Sequence, residues 1–291
     1  MATKEKTKVV KSSLAKRNIQ KFVRNRMAVI GMVGIAIILF CCIFAPLLTP
    51  HDPEFMDPSN RSADPDDVHI LGTDKAGRDV FARLLYGGRY SIFIGVTASL
   101  CVNIVGCIFG CVAGYFGGKI DKVLVTIQEF FSIFPSTLLY ILVIAIFDRS
   151  IAVMIGVWTF CGWGGMMRIV RGKIMSLKNE PFVESCRANG VSSASIMFRH
   201  MIPNAMGPII VNVTMNVAGY MLAEAGLSYI GLGVPINTPT WGNIINAAKS
   251  ILVIMGEPIL WLGPGIAMCA TILCINFIGD GLRDALDPTS K

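Results

Sequence analysis

Seven polar side chains interrupt runs that are otherwise apolar: Asn103, Gln128, Glu129, Asn212, Asn216, Glu224 and Asn276. A carboxylate or carboxamide inside hydrocarbon is costly, so each marks either a helix–helix hydrogen bond or a group facing a water-filled path. Both readings stay open for each residue taken singly. Glu129, Asn212, Asn216, Glu224 and Asn276 are the candidates for the wall of such a path. Pro135 lies six residues beyond Glu129 and predicts a kink in the same run.

Other chemistries lack their residues. The string Gly117-Gly118-Lys119-Ile120 has no Ser or Thr to hold Mg²⁺ and is not a phosphate-binding loop, so the chain is expected to bind no ATP itself. No nucleophile-elbow, zinc-protease or selectivity-filter string is present. The three histidines, His51, His69 and His200, show no metal-ligand spacing, and neither a metal site nor a cofactor is expected. The nine cysteines fall in apolar runs or, as Cys186, in a basic loop. They read as packing thiols rather than a disulfide framework.

The elements that would carry the polar residues are membrane spans. Of 291 residues, 53% are hydrophobic and 15% charged, and mean hydropathy is +0.61. Soluble domains carry about 25% charged residues. Six runs approach the roughly 20 residues a helix needs to cross a bilayer: 27–48, 92–114, 124–147, 150–167, 207–227 and 259–279. The fold class is therefore all-α, a polytopic membrane protein with six transmembrane helices. It divides into a basic, amphipathic N-terminal segment 1–26, a first span and external loop 27–91, and a core 92–291. The first run has no small-x-small cleavage site and reads as an uncleaved anchor.

Charge orients the spans. Residues 1–26 hold nine Lys/Arg and one acid, and 168–203 hold six Lys/Arg and two acids. Residues 49–91 hold eight acids and five Lys/Arg. Positive loops stay in the cytoplasm, which puts both termini and 168–206 inside and 49–91 and 228–258 outside. The net charge of +7 is thus a membrane-orientation signal, not a nucleic-acid footprint. Arg78, Arg83 and Arg89 are misfits, since they sit just outside the second span.

Local signals add detail. Leu14, Ile19, Phe22 and Val23 share one face of a helix predicted over 13–26, suited to lying on the membrane surface. Gly72-Thr73-Asp74 predicts a turn and cap before a short helix over about 77–90, decorated with surface ion pairs. Gly106, Gly110 and Gly114 line one helix face and predict close helix packing. A short interfacial helix is predicted near 241–251, with Trp241 at headgroup level.

Residues 184–203 differ from an ordinary loop between spans. Glu184 to Asn189 suits a short helix, Gly190 permits a turn, and 192–200 suits a second helix capped by Ser192 or Ser193 and ended by Pro203. Such a helix–turn–helix, with Glu184, Arg187 and Arg199 exposed, would act as a rigid lever between a soluble partner and the flanking spans.

The spacing here resembles the EAA motif of permease subunits of ABC importers: Glu-Ala-Ala, three residues, Gly, nine residues, Ile-x-Leu-Pro. Glu184, Gly190 and Pro203 match it, whereas Ser185, Cys186, His200 and Ile202 depart from it. Leu71-Gly-Thr-Asp-x-x-Gly-Arg-Asp-Val-Phe-x-Arg83, Ala223-Glu-Ala-Gly-Leu-Ser228, Pro239-x-Trp-Gly-Asn243 and Asn276-Phe-x-Gly-Asp-Gly-Leu-Arg-Asp-Ala-Leu-Asp-Pro288 extend the resemblance over most of the chain. Together they are similar to the C-type permease of the dipeptide/oligopeptide/nickel family.

The resemblance implies a type I ABC importer permease in a bacterial inner membrane. It implies a sister permease, two ATP-binding subunits and an extracytoplasmic substrate-binding protein as partners, with ATP bound by those partners and no enzyme activity in this chain. Residues 180–203 would be the coupling helices, with Glu184, Ser185, Cys186, Arg187, Gly190, Arg199, His200 and Pro203 facing an ATPase groove. Short peptides are the implied cargo, with nickel or a metal chelate as the alternative within the family. A stand-alone channel or proton-coupled carrier is the rival from another class; its intramembrane acids would have to form a relay.

Overall fold

The computed structural model describes residues 18–286. The basic segment 1–17, and with it Leu14 of the amphipathic reading, lies outside the described residues, as do 287–291. Residues 18–24 are helical, and the Phe22 ring packs at Gly281 near the other end of the chain.

Every regular element among the described residues is helical; a lone Thr73–Asp79 bridge is the single extended pairing. The helices are α1 (Arg26–Ile43), α2 (Val80–Phe116), α3 (Gly118–Ile133), α4 (Ser136–Ile146), α5 (Ile151–Gly162), α6 (Gly164–Leu177), α7 (Pro181–Ala188), α8 (Met206–Tyr229), α9 (Trp241–Ala247), α10 (Ile251–Gly256) and α11 (Ile259–Leu286). Among the described residues, four helical stretches are each long and apolar enough to cross a bilayer, and the number is six with each of the bent pairs α3–α4 and α5–α6 counted as one span. The six-span, all-α expectation therefore holds, with altered boundaries.

The α3–α4 pair bends by 76° where Pro135 N-caps α4. Proline has no N–H to donate and fixes its own φ, so the expected kink becomes a break. The α5–α6 pair bends by 42° and runs on to Leu177, ten residues past the predicted end of the fourth span. It continues because α6 is two-faced. Met166, Met167, Val170 and Ile174 are buried while Arg168 and Lys173 point outward.

The glycine stripe sets the contact between α2 and α6. A Cβ at Gly106 would lie 2.6 Å from Trp163 O, at Gly110 2.6 Å from Met167 O, and at Gly114 2.8 Å from Arg171 O. Glycine lets α2 and α6 approach backbone to backbone. At one end of this pair Arg171 grips Asp121 of α3 through two bonds of 2.5 and 2.6 Å, a bidentate fork that fixes α3 against α6. All nine cysteines are free thiols.

Helix α2 starts at Val80, so the helix expected over 77–90 is the first third of the second span. Asp79 caps it, its Oδ1 accepting from Ala82 N at 2.6 Å. The ion pairs of this region are not on the surface as expected. Asp74 and Arg78 are buried and joined at 2.8 Å, and Arg83 is buried 4.0 Å from Asp74 with Nη1 donating to Pro53 O at 3.1 Å. Arg89 donates to Cys42 O and to Ile43 O at 2.5 and 2.7 Å, satisfying carbonyls at the C-terminal end of α1. The three misfit arginines thus tie together the α1–α2 loop and the helix ends that flank it.

Trp241 does not face out of the bundle. It is buried, its indole N–H donates to Leu84 O at 2.9 Å, and its ring covers Gly87 and Gly88 of α2. The two glycines make the slot, so α9 folds back into the bundle.

Candidate functional site

Residues 180–205 form one continuous folded element. Glu180 is the N-cap residue of α7, and Pro181 occupies the first turn, where its missing N–H costs nothing. Gly190 N donates to Arg187 O and Val191 N to Cys186 O, both at 3.0 Å, with Gly190 at φ +70°. This is the left-handed helix stop that glycine adopts without a Cβ penalty. Ser192 then caps the next helix, its Oγ accepting from Ser195 N at 3.4 Å.

Pro203 does not end that helix. The chain passes through a π segment, Ile196–Met201, and a 3₁₀ turn, Ile202–Ala205, straight into α8. Wider and tighter turns absorb the hydrogen bond that Pro203 cannot donate. Lever and span are one helical rod.

The underside of the element is apolar. Val183, Ile196, Met197, Met201 and Ala205 are buried with Cys111 and Tyr115 of α2, Met166, Val170 and Ile174 of α6, and Ile209 of α8. Its outer face carries Glu184, Ser185, Arg187, Gly190, Arg199 and Pro203, all exposed, while Cys186 and His200 are half-buried. Phe182 and Phe198 add exposed apolar surface. The sequence motif did not point to Tyr115. Its ring lies 5.3 Å from the Arg187 guanidinium and its hydroxyl donates to Ser193 Oγ at 3.4 Å.

The intramembrane polar residues separate into two groups. Asn216 Nδ2 contacts Asn103 Oδ1 at 3.2 Å and Asn212 Oδ1 at 3.0 Å, and Asn103 Nδ2 donates to Ser99 O at 2.7 Å. Asn216 borders a cavity of about 460 Å³ with Ser136, Trp158 and Tyr220. Asn212, one turn away on α8, borders a second of about 460 Å³ with Met215 and Arg283. Glu129 is exposed on α3, and Asn276 is half-buried on α11. Gln128 is buried and its amide contacts Ser132 Oγ.

Glu224, also among the path candidates, stands apart from the others. It is fully buried, accepting hydrogen bonds from Ser228 Oγ at 2.7 Å, Thr240 Oγ1 at 2.8 Å and Ser91 Oγ at 3.5 Å. Three hydroxyls from α2, α8 and the start of α9 converge on one carboxylate. They close it off from open space and make it a joint between elements. Sequence reasoning missed these partners, whose one local sign was Thr240 at the N-cap of α9.

The loop between α1 and α2 is tied by its acids. Asp57 accepts from Ser59 N and Asn60 Nδ2 at 2.9 and 2.8 Å. Asp66 accepts from the backbone of His69 and of Val68. These backbone hydrogen bonds hold both carboxyls below their ordinary range.

With this geometry in view, the comparisons are specific. The family described as the inner membrane component of binding-protein-dependent transport systems matches residues 106–291. The N-terminal transmembrane domain of oligopeptide transport permease C matches residues 13–65. The chain is 36% identical to the oligopeptide transport system permease protein OppC of Bacillus subtilis, over 97% of this chain and 92% of that protein. It is 36% identical to OppC of Escherichia coli, over 99% of this chain and 95% of that protein. It is 37% identical to the dipeptide transport system permease protein DppC of Alkalihalophilus pseudofirmus, over 92% and 88%. The helical bundle, the folded element at 180–205 and these matches agree: the chain belongs to the binding-protein-dependent transport system inner membrane components, the multi-pass permeases of ABC importers.

Proposed function

We propose that this chain is the C-type permease of a peptide importer, and that it lines one side of a translocation path completed by a sister permease. Two ATP-binding subunits dock on 180–203 in the cytoplasm, and an extracytoplasmic binding protein delivers the peptide on the other side. Both termini lie in the cytoplasm. The chain binds no nucleotide and catalyses no reaction; the hydrolysing site belongs to the partners. Peptide as the cargo rests on the names of the relatives.

One observation carries the docking reading. The element presents a polar outer face with two exposed phenylalanines, while its apolar underside is locked into α2, α6 and α8. Force applied to the outer face therefore reaches three spans through packed side chains. Asn212 and Asn216, bordering successive cavities on α8, are the best-placed path residues, joined by Glu129 and Asn276.

Uptake of labelled dipeptides, longer peptides and Ni²⁺ by cells expressing the whole transporter tests the reading. Peptide uptake that disappears when either ATP-binding subunit is deleted is the expected result. Uptake that persists without them would establish a stand-alone carrier, and uptake of Ni²⁺ alone would assign a metal cargo. Cross-linking from Cys186 to an ATP-binding subunit tests the docking face separately.

A further inference from the structure

The loop between α1 and α2 gathers side chains that are far apart in sequence. His51 follows the end of α1, His69 lies eighteen residues on, and Asp79 caps α2. The fold brings one donor atom from each to within 4.8 Å of the other two. The two imidazole rings are 4.9 Å apart at 33°. Sequence reading expected no metal ligands because the spacing is not that of any local motif; the loop closes it in space.

The surroundings are those of a built site. His51 Nε2 contacts Val68 O at 3.0 Å, which holds N–H on that nitrogen and leaves Nδ1 with a lone pair. His69 Nδ1 lies 2.8 Å from Asp79 Oδ2, so its ring orientation is set by a carboxylate whose other oxygen is held at the helix cap. Asp79 is 4% exposed and His69 is half-buried, so the cluster does not collapse into solvent. His51, Asp67 and Asp79 border a cavity of about 270 Å³, which leaves room for an ion with its remaining water ligands.

We propose that His51, His69 and Asp79 bind a divalent first-row transition-metal ion, with zinc as the type case. Two imidazole nitrogens and one carboxylate oxygen suit borderline ions, whereas Ca²⁺ and Mg²⁺ prefer all-oxygen shells. Zinc would hold its donors about 2.0–2.2 Å from the metal. The His69–Asp79 edge already has that compactness, and ring rotation of His51 closes the rest. Binding through Nδ1 requires the proton shared with Asp79 to move to Nε2 as the neutral ring changes tautomer, or His69 rotates to present Nε2 as the donor atom. The bound ion ties the end of α1 to the start of α2, at the opposite end of α2 from Tyr115. It acts as a resident fastener of the loop and is distinct from the transported cargo.

The test uses the assembled transporter, stripped with a chelator and then loaded with Co²⁺ or Zn²⁺ alone. Co²⁺ should give visible d–d bands without the near-ultraviolet charge transfer of thiolate ligands. This separates the site from the nine cysteines. His51→Ala and His69→Ala should each weaken Zn²⁺ binding at least tenfold by equilibrium dialysis and abolish the rise in Tm that Zn²⁺ confers on the unaltered transporter. Asp79 is left intact because it caps α2. Zn²⁺ affinity in both variants equal to that of the unaltered transporter, or a thiolate-type Co²⁺ spectrum in the unaltered protein, overturns the proposal. Should the alanine variants fold poorly, His51→Gln and His69→Gln keep the hydrogen bonding to Val68 O and Asp79 and carry the same readout.

Discussion

Arg187 places its guanidinium 5.3 Å from the centre of the Tyr115 ring, which joins the outer part of the 181–188 helix to the last turn of α2. Tyr115 also sits in the apolar cluster beneath the element. One ring thus touches both the exposed and the buried side of the proposed docking surface.

Tyr115→Ala should therefore loosen the lever. It removes the cation–π contact, about 0.5–1 kcal/mol at an exposed site, and opens a hole in the cluster. Peptide uptake is expected to fall about tenfold while ATP hydrolysis by the complex continues, measured side by side in proteoliposomes. Tyr115→Phe, which loses only the weak Ser193 contact, should stay within twofold of the original. Coupled uptake at full rate in Tyr115→Ala would show that the ring transmits nothing.

Gly190 separates conformation from space. Nothing lies within 4 Å of a Cβ built there, yet its φ is +70°. A non-glycine residue in this region costs about 1–2 kcal/mol, with Asn the best tolerated. Uptake should rank Gly190, then Gly190→Asn, then Gly190→Ala, with Gly190→Pro inactive though inserted. Equal activity of the Asn and Pro variants would contradict the order.

The α2–α6 seam predicts a matched pair. Gly110→Ala drives a methyl 2.6 Å from Met167 O, and overpacking of this kind costs about 1–3 kcal/mol. Gly172→Ala, on the open side of α6 with nothing within 4 Å, should be neutral. Thermal-shift fluorescence on the detergent-solubilised complex distinguishes them; equal melting points would remove the seam from the account.

Glu224→Ala leaves the hydroxyls of Ser91, Ser228 and Thr240 without their common acceptor. Unmade buried hydrogen bonds cost about 1–3 kcal/mol each, so the assembled protein should melt well below the original. Glu224→Gln, which keeps one oxygen acceptor, should retain more than half of that stability. If Glu224 instead lined the path, both substitutions would alter peptide uptake without moving the melting point.

Much of the architecture was legible beforehand, for physical reasons that act locally. Burying twenty apolar residues in lipid is decided by composition, so six spans could be counted from hydropathy. A glycine every fourth residue makes a flat face whatever it meets, so the seam at Gly106, Gly110 and Gly114 was readable before its partner α6 was known. The positive φ at Gly190 was signalled by the residue itself.

What lay beyond the sequence depends on which distant surfaces meet. Pro203 could have ended a helix; the packing of Met201 and Ala205 against α2 and α6 keeps the rod continuous through π and 3₁₀ turns instead. Trp241 has the amphipathic character of an interfacial residue, and only the slot at Gly87 and Gly88 draws it inward. Glu224 could have faced water, and Arg78 and Arg83 could have been surface charges. Hydroxyls from three elements and the carboxylate of Asp74 determine otherwise. His51, His69 and Asp79 become neighbours only when the loop closes. Composition and spacing specify which groups must leave water, and the tertiary structure specifies which partners receive them, because a buried polar group is settled by whichever donor or acceptor the fold brings within about 3 Å.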